Sequence, residues 1–387
     1  MRSRICDLLG IDFPLVAFSH CKDVVVEVSR AGGMGVLGAV GMTPAELDEE
    51  LGWIEQRVEG NPYGVDVLIP GSMIGRDQEL EAQQLLAMVP EEHKRFAAQV
   101  LEEHDVDASD VTDESRLRRL GTAVNMRPEG AEKLIDVAFA HSTRLIANAL
   151  GVPPEWMLKR GKERGVVVAA LVGAKEHAIR QVQAGVDVLV VSGTEGGGHC
   201  GSVSTMVLVP EVWEAIQPYG DVPILAAGGI VTGRQMAAAM AMGAEGAWTG
   251  SVWLTTTEAE TAPAVKEKML AASSSETVRS RSRTGKHSRQ LRSAWTDAWE
   301  ERGPEPLPMP LQSLVSEPAL EKVGKLAEGG HEGARELATY WVGQGVGLMN
   351  TTRSVRNVVY AFQEDFVRAS SRLQDFLEEG FLEEPGE

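Results

Sequence analysis

The feature that most constrains the fold of this chain is a repeated alternation of a short apolar segment, a turn and an amphipathic helix. Alternation of this kind is typical of parallel strands joined by crossover helices. We predict eight such strands, at Pro14–Phe18, Met34–Leu37, Tyr63–Ile69, Leu145–Ala149, Val166–Leu171, Val186–Val191, Pro223–Ala227 and Gly246–Thr249. Because each leads into a helix, the sequence predicts an α/β fold, a closed (β/α)8 TIM barrel. Periodicity alone leaves a doubly wound open sheet as an alternative.

The helix after the second strand carries the clearest local signals. Thr43 precedes Pro44, which suits the first helical position, and Glu46 completes a capping box. Gly60 ends the segment. These residues support the helical half of the alternation.

Two segments depart from the alternation. Residues 71–128 are rich in Glu, Gln, Asp and Arg, and we interpret them as a helical insertion or lid after the third strand, with helices near 78–88 and 91–103. It is expected to lie over one end of the barrel. The barrel itself would comprise residues 1–70 and 129–275.

Residues 276–387 are predicted to form a mostly helical C-terminal region that packs on the barrel. Its Arg-rich run, residues 279–292, is interpreted as a solvated or salt-bridged surface face, which is what most surface charge runs are.

The composition excludes some functions. A net charge of −19 over 387 residues would repel nucleic-acid phosphates. No apolar run is long enough for a membrane span and no signal peptide is evident, so we expect a cytoplasmic protein without a membrane or nucleic-acid partner. Three scattered cysteines, Cys6, Cys21 and Cys200, form neither a disulfide framework nor a zinc motif, so we expect reduced thiols and no metal.

Chemistry is expected at the C-terminal ends of the strands, where barrel enzymes place their sites. Three glycine-rich stretches follow the last three strands. The first runs from Ser192 to His199, whose imidazole could act as an acid, a base or a hydrogen-bonding group. The others, Gly228-Gly229 and Gly250-Ser251, close the last two strands and are typical of the phosphate site of this barrel.

His20 follows the first strand. It could face a ligand at the barrel mouth or cap the helix that follows, and the sequence does not separate these two roles. No G-x-G-x-x-G directly follows the first strand, and the chain contains none of the G-x-x-x-x-G-K-[ST], H-E-x-x-H and G-x-S-x-G motifs, so a nicotinamide bound by a Rossmann motif is not supported.

Taken in order, these motifs resemble the nitronate monooxygenase family, formerly 2-nitropropane dioxygenases, which also contains flavin-type enoyl-(acyl carrier protein) reductases. The resemblance covers residues 1–70 and 129–290 and a later segment at Gly343. The segments that carry it begin at Leu8, Ala31, Tyr63, Gly193, Ala226 and Gly250.

The resemblance implies FMN as the cofactor and His199 as the active-site histidine, acting as a base or hydrogen-bond partner, with His20 as a second candidate polar group. The positions implied to contact FMN are Ala17, Phe18, Asp66, Ser192, Gly197, Gly198, Gly228, Gly229, Trp248, Thr249, Gly250 and Ser251. The first implied reaction is oxidation of a small nitronate or related acidic carbon compound, with dioxygen as acceptor. The alternatives are NAD(P)H-dependent reduction of an enone or acyl thioester, and a non-catalytic flavin binder. Assembly as a homodimer stays open.

Two positions differ from the family pattern. The family usually has Gln at the position of Ser192 and Asn at that of Asp66, and both normally hydrogen-bond the flavin. A carboxylate beside the ring would disfavour the anionic reduced flavin, unless Asp66 is protonated or turned away.

Overall fold

The computed structural model describes residues 3–69, 82–116 and 128–380. Eight parallel strands close into a barrel, which confirms the predicted (β/α)8 fold. The barrel strands are β1 (Leu15–Ser19), β2 (Met34–Gly38), β3 (Tyr63–Val67), β4 (Leu145–Asn148), β5 (Val167–Val172), β6 (Val188–Ser192), β8 (Ile224–Ala227) and β9 (Gly246–Thr249). Each strand end lies within two residues of its predicted position. Among the described elements, β7 (Gly198–His199) lies between β6 and β8 in the chain but outside the barrel.

Side chains alternate between the two faces of each barrel strand, as the two-residue period of a strand requires. Val16, Val190 and Trp248 belong to an apolar cluster that fills the lumen. Tyr63 and Val65 belong to a separate cluster with the surrounding helices. The lumen is therefore a packed core, and a ligand can enter only at its open end.

Helices surround the barrel and extend from it. They are α1 (Arg4–Leu9), α2 (Lys22–Arg30), α3 (Pro44–Glu55), α4 (Ala82–Ala87), α5 (Glu91–Glu102), α6 (Pro128–Ala140), α7 (Glu155–Arg164), α8 (Lys175–Ala184), α9 (Thr205–Ile216), α10 (Gly233–Ala241), α11 (Pro263–Ala271), α12 (Ala294–Arg302), α13 (Leu311–Glu328), α14 (Glu332–Leu337) and α15 (Val355–Gly380). The predicted capping box at α3 is present: the Thr43 hydroxyl accepts from the Glu46 amide, and the Glu46 carboxylate accepts from the Thr43 amide.

The described part of the insertion packs against the C-terminal region. A ring nitrogen of His93 on α5 lies 3.0 Å from the Glu305 carbonyl oxygen, and Glu103 pairs with Arg302. Residues 70–81 and 117–127 fall outside the described residues, so the predicted helix near 78–88 is seen only over α4.

The C-terminal region is mostly helical, as predicted, but it also contains two strands that the sequence did not indicate. β10 (Thr277–Ser280) and β11 (Ser288–Leu291) form an antiparallel sheet with β7, in which Ser288 pairs with His199. This small sheet joins the C-terminal region to the loop after β6.

The same hairpin corrects our interpretation of the Arg-rich run as a surface face. Arg283 and Arg289 are buried. Arg283 pairs with the equally buried Glu317 at 2.7 Å, and Arg289 donates to the carbonyl of Thr194. Only part of the run, such as Arg292, is solvent-exposed.

All three cysteines are free thiols, as predicted. Within residues 3–69, 82–116 and 128–380, no helix combines the length and apolar character that crossing a membrane requires.

Candidate active site

Three loops at the C-terminal end of the barrel contact one another and a fourth segment at Gly343. The Gly343 amide donates to Ser251 Oγ at 2.9 Å, and the Gln344 amide donates to the Glu195 carbonyl at 2.8 Å. A Cβ placed on Gly229 would lie 2.9 Å from Glu195 Cβ. The glycine-rich turns of the sequence are thus neighbours in space.

Glu195 anchors the first of these loops. One of its carboxylate oxygens accepts from the Thr205 amide at 2.9 Å and from the Thr205 hydroxyl at 3.0 Å. It thereby caps the start of α9 from ten residues upstream. Pro210 is tolerated inside this helix.

His199 lies on β7, where pairing with β11 fixes its backbone. Its Nε2 lies 2.9 Å from the Thr284 hydroxyl oxygen, whereas among the described residues Nδ1 has no hydrogen-bond partner. Burial, together with the positive charge of Lys286, lowers the pKa of His199 to about 4. The imidazole is therefore neutral at physiological pH. It stays partly accessible to solvent although protein surrounds it closely.

His20 does not cap the helix after β1. The N-cap of α2 is Cys21, which makes no side-chain cap hydrogen bond, and the amide of Cys21 bonds the Ser19 hydroxyl instead. The His20 ring lies 3.2 Å from the Gly38 carbonyl oxygen and packs edge-on against Phe18. The ring is exposed to solvent within the barrel mouth, yet its enclosed position lowers its pKa. Of the two roles the sequence allowed, helix capping is therefore not observed, and the ligand-facing role stays a prediction.

Asp66 and Ser192 lie at the ends of β3 and β6 on positions that alternation directs into the lumen. Asp66 is buried, and its Oδ2 has no hydrogen-bond partner. Burial raises the pKa of Asp66 well above its ordinary value.

Among the other predicted cofactor positions, some are buried in the barrel and some have open space beside them. Ala17, Trp248 and Thr249 are buried, and the Thr249 hydroxyl donates to the Val16 carbonyl at 3.0 Å. The Thr249 hydroxyl is thus already engaged within the barrel. A Cβ at Gly198 would meet no atom within 4 Å, and one at Gly250 would meet only Phe18, at 4.0 Å. The loops therefore keep open space beside these two glycines.

Thr284 and Lys286 are site residues that sequence reasoning missed. They lie in the β10–β11 hairpin, and nothing in the local sequence indicates that this hairpin reaches the loop after β6. The only unusual feature of this segment in the sequence is its Arg-rich character, which we interpreted as a surface face.

One group of described residues has the spacing of metal ligands. Candidate atoms of Cys21, Asp23 and Glu260 lie within 4.8 Å of one another. Burial raises the pKa of the Cys21 thiol, and its sulfur contacts the Glu258 carbonyl at 3.2 Å, so a thiolate ligand is disfavoured. We assign no metal here.

Comparison with known proteins agrees with this arrangement. Residues 2–365 match the family described as nitronate monooxygenase. Rv1533 of Mycobacterium tuberculosis, named as a monooxygenase, is 53% identical over 98% of this chain and 100% of its own length. A Staphylococcus aureus protein named as a nitronate monooxygenase is 24% identical, over 90% of this chain and 93% of its own.

Solved structures share the fold. FabK from Thermotoga maritima is 25% identical with a TM-score of 0.71, covering 97% of this chain and 99% of its own. A nitroalkane oxidase from Streptomyces ansochromogenes is 22% identical with a TM-score of 0.77, covering 96% and 100%, a likeness of fold alone. With the match over almost the whole chain and the shared barrel, this protein belongs to the nitronate monooxygenase family and is an oxidoreductase.

Proposed function

We propose that the protein is an FMN-dependent oxidoreductase that oxidises a small nitronate or a related acidic carbon compound. The observation that carries the proposal is the position of His199. It is neutral, partly accessible and fixed by Thr284, and its loop contacts the turn at Gly228 directly and the turn at Ser251 through Gly343.

The residues present fit a flavin. Gly228 and Gly229 have φ values of 98° and 73°, which glycine adopts without strain, so their peptide groups can turn towards a ligand. Ser251 Oγ accepts from Gly343, which leaves the hydroxyl proton for a phosphate oxygen. The open space at Gly250 and the unpartnered Asp66 Oδ2 are further observations that a bound cofactor would explain.

In this proposal Gly228, Gly229, Gly250 and Ser251 hold the phosphate, with backbone groups of Trp248 and Thr249. Gly197, Gly198, Ser192 and Asp66, and the backbone of Ala17 and Phe18, border the ring. Bound FMN would supply a two-electron acceptor beside the substrate, and dioxygen would then take up the electrons.

His199 would orient the substrate through Nδ1, because Nε2 is engaged with Thr284. A pKa of about 4 makes it a weak base, which suits a substrate that is already an anion better than a neutral carbon acid. The positive charge of Lys286 disfavours a proton on His199, and the same charge would attract an anionic substrate.

The test is anaerobic reduction of the purified, FMN-reconstituted protein followed by absorbance. Propyl nitronate should bleach the flavin, and admission of air should restore its colour. Bleaching by NADPH but not by propyl nitronate would replace the proposal with a reductase of an enone or acyl thioester. A colourless protein that FMN cannot reconstitute would overturn both readings.

A further inference from the structure

Asp66 is an ionisable side chain directed into an otherwise apolar barrel interior. On β3, Tyr63, Val65 and Val67 pack outward against the helices, so alternation directs Gly64 and Asp66 inward. Ser192 at the end of β6 is the exception, and the other side chains of the lumen cluster are apolar, Trp248 among them. Asp66 is only 6% exposed.

The neighbouring strands leave space beside this carboxyl group, but their described residues give its Oδ2 no hydrogen-bond partner. Asp66 is in register with Gly38 on β2 and Ala147 on β4, and both are too small to fill the lumen at this level. The ring of His20 occupies the space above Gly38, where an added Cβ would lie 2.6 Å from it.

His20 is a titratable group that contacts Gly38, the register neighbour of Asp66 on β2, and no ion pair joins it to Asp66 in the described part of the chain. Burial is the only cause of the raised pKa of Asp66, without a contribution from a neighbouring charge. Asp66 Oδ2 is buried without a hydrogen bond.

An unpaired buried carboxylate is strongly disfavoured, whereas a neutral carboxylic acid needs only an acceptor for its proton. Asp66 is the last but one residue of β3, near the end of the barrel where the glycine turns lie. The proposed FMN would bring acceptor atoms to that end, since its isoalloxazine ring carries carbonyl oxygens and ring nitrogens.

We propose that Asp66 is held as a neutral carboxylic acid and donates its proton in a hydrogen bond to the bound flavin ring. The inference rests on the proposed function, because it takes FMN as the ligand. A neutral donor stabilises negative charge that develops on the ring during reduction, while a carboxylate at the same place would oppose it. Asp66 thus favours electron transfer from substrate to flavin.

The first experiment needs no cofactor. Infrared difference spectra of the apoprotein at neutral pH, wild type minus Asp66→Asn, should contain the carbonyl band of a protonated carboxyl group. Carboxylate bands in its place would overturn the inference. Asp66→Asn is the matched variant because it is nearly isosteric and cannot ionise.

The pH dependence of apoprotein stability provides a second readout. The folded-state pKa of Asp66 is raised, so the wild type loses stability relative to Asp66→Asn as pH rises above the unfolded-state pKa near 4, and the difference vanishes below it. The folded-to-unfolded ratio should change by up to tenfold per pH unit in this window. Equal pH profiles for the two proteins would contradict a buried neutral acid.

The third measurement tests the bond to FMN. Binding of FMN should shift the wild-type carboxyl band to lower frequency. Asp66→Asn, which keeps a donor, should preserve the flavin midpoint potential. Asp66→Leu, which has none, should lower it by about 30 mV or more, corresponding to a tenfold weaker preference for reduced over oxidised flavin in a two-electron couple.

A raised potential in Asp66→Asn would indicate an ionised Asp66 and overturn the inference. If FMN binds and neither the band nor the Asp66→Leu potential moves, the hydrogen bond is wrong but the proposed function stands. If FMN does not bind the wild type at all, the proposed function itself has failed.

Discussion

His199 Nε2 and Thr284 Oγ1 lie 2.9 Å apart although 85 positions separate the two residues in the chain. The contact exists because β7 pairs with β11 and carries the loop after β6 onto the C-terminal hairpin. Thr284 also bonds the backbone of Lys286, at 3.2 Å to its carbonyl and 3.3 Å to its amide, so the hydroxyl is itself held in place. The orientation of the candidate catalytic histidine therefore depends on a region outside the barrel.

Thr284→Val should lower kcat about 5- to 10-fold with FMN still bound. It removes one hydrogen bond, worth about 1 kcal/mol, without a large change in side-chain volume. Steady-state kinetics with propyl nitronate would measure the effect. Thr284→Ser keeps the hydroxyl and should stay close to the wild type; an equal loss in both variants would show that packing, not the hydrogen bond, is responsible.

His199→Ala should lower kcat roughly 100-fold, the low end of what a positioned acid–base group contributes, and should leave the flavin spectrum intact. Turnover equal to the wild type would remove His199 from the mechanism.

The pH profile of the wild type should follow the lowered pKa of His199. Because that pKa is about 4, the imidazole stays neutral through pH 6.5, and the profile of kcat/KM should contain no His199 step there. Activity should fall only as pH approaches 4 and the ring gains a proton.

The free energy of unfolding should also fall as the pH falls. Between about pH 6.5 and pH 4 the folded state binds fewer protons than the unfolded state, so His199 destabilises the fold progressively as pH falls through that window. A His199→Asn variant should lack this loss in pH-dependent unfolding.

Gly250→Asp should weaken FMN binding at least tenfold. A Cβ at this position meets nothing closer than Phe18 at 4.0 Å, and φ is −129°, so the fold should accept the side chain. The added carboxylate would repel the phosphate. Fluorescence titration of apoprotein with FMN measures the affinity, and Gly250→Ala is the control for size. Wild-type affinity in Gly250→Asp would contradict the placement of the phosphate.

The variant Gly229→Asp tests the same placement less cleanly. The φ of 73° at Gly229 and the nearby Glu195 would strain any side chain at this position.

Arg283→Met should destabilise the protein by about 3–5 kcal/mol, because it removes the guanidinium that forms a buried ion pair with the Glu317 carboxylate. Urea unfolding would measure the change. The double variant Arg283→Met with Glu317→Leu removes both charges and should regain most of that loss. If the single variant proves neutral, the pair is not buried as the structure has it.

The sequence was sufficient for the eight strand–helix units, and the structure decided between a closed barrel and an open sheet. The alternation of apolar runs and amphipathic helices is a local property. The glycine turns after β8 and β9 and the histidine after β6 were identifiable for the same reason, because each lies beside its own strand.

Contacts between distant segments were decided only by the tertiary structure. The sequence could not show that Glu195 caps α9, that Thr284 fixes His199 or that Arg283 pairs with Glu317. Local sequence patterns contain neither the partner of a side chain nor its burial. These two properties shift the pKa of Asp66 and of His199. The burial of Asp66 arises when the barrel closes, and that of His199 when the C-terminal hairpin pairs with the loop after β6.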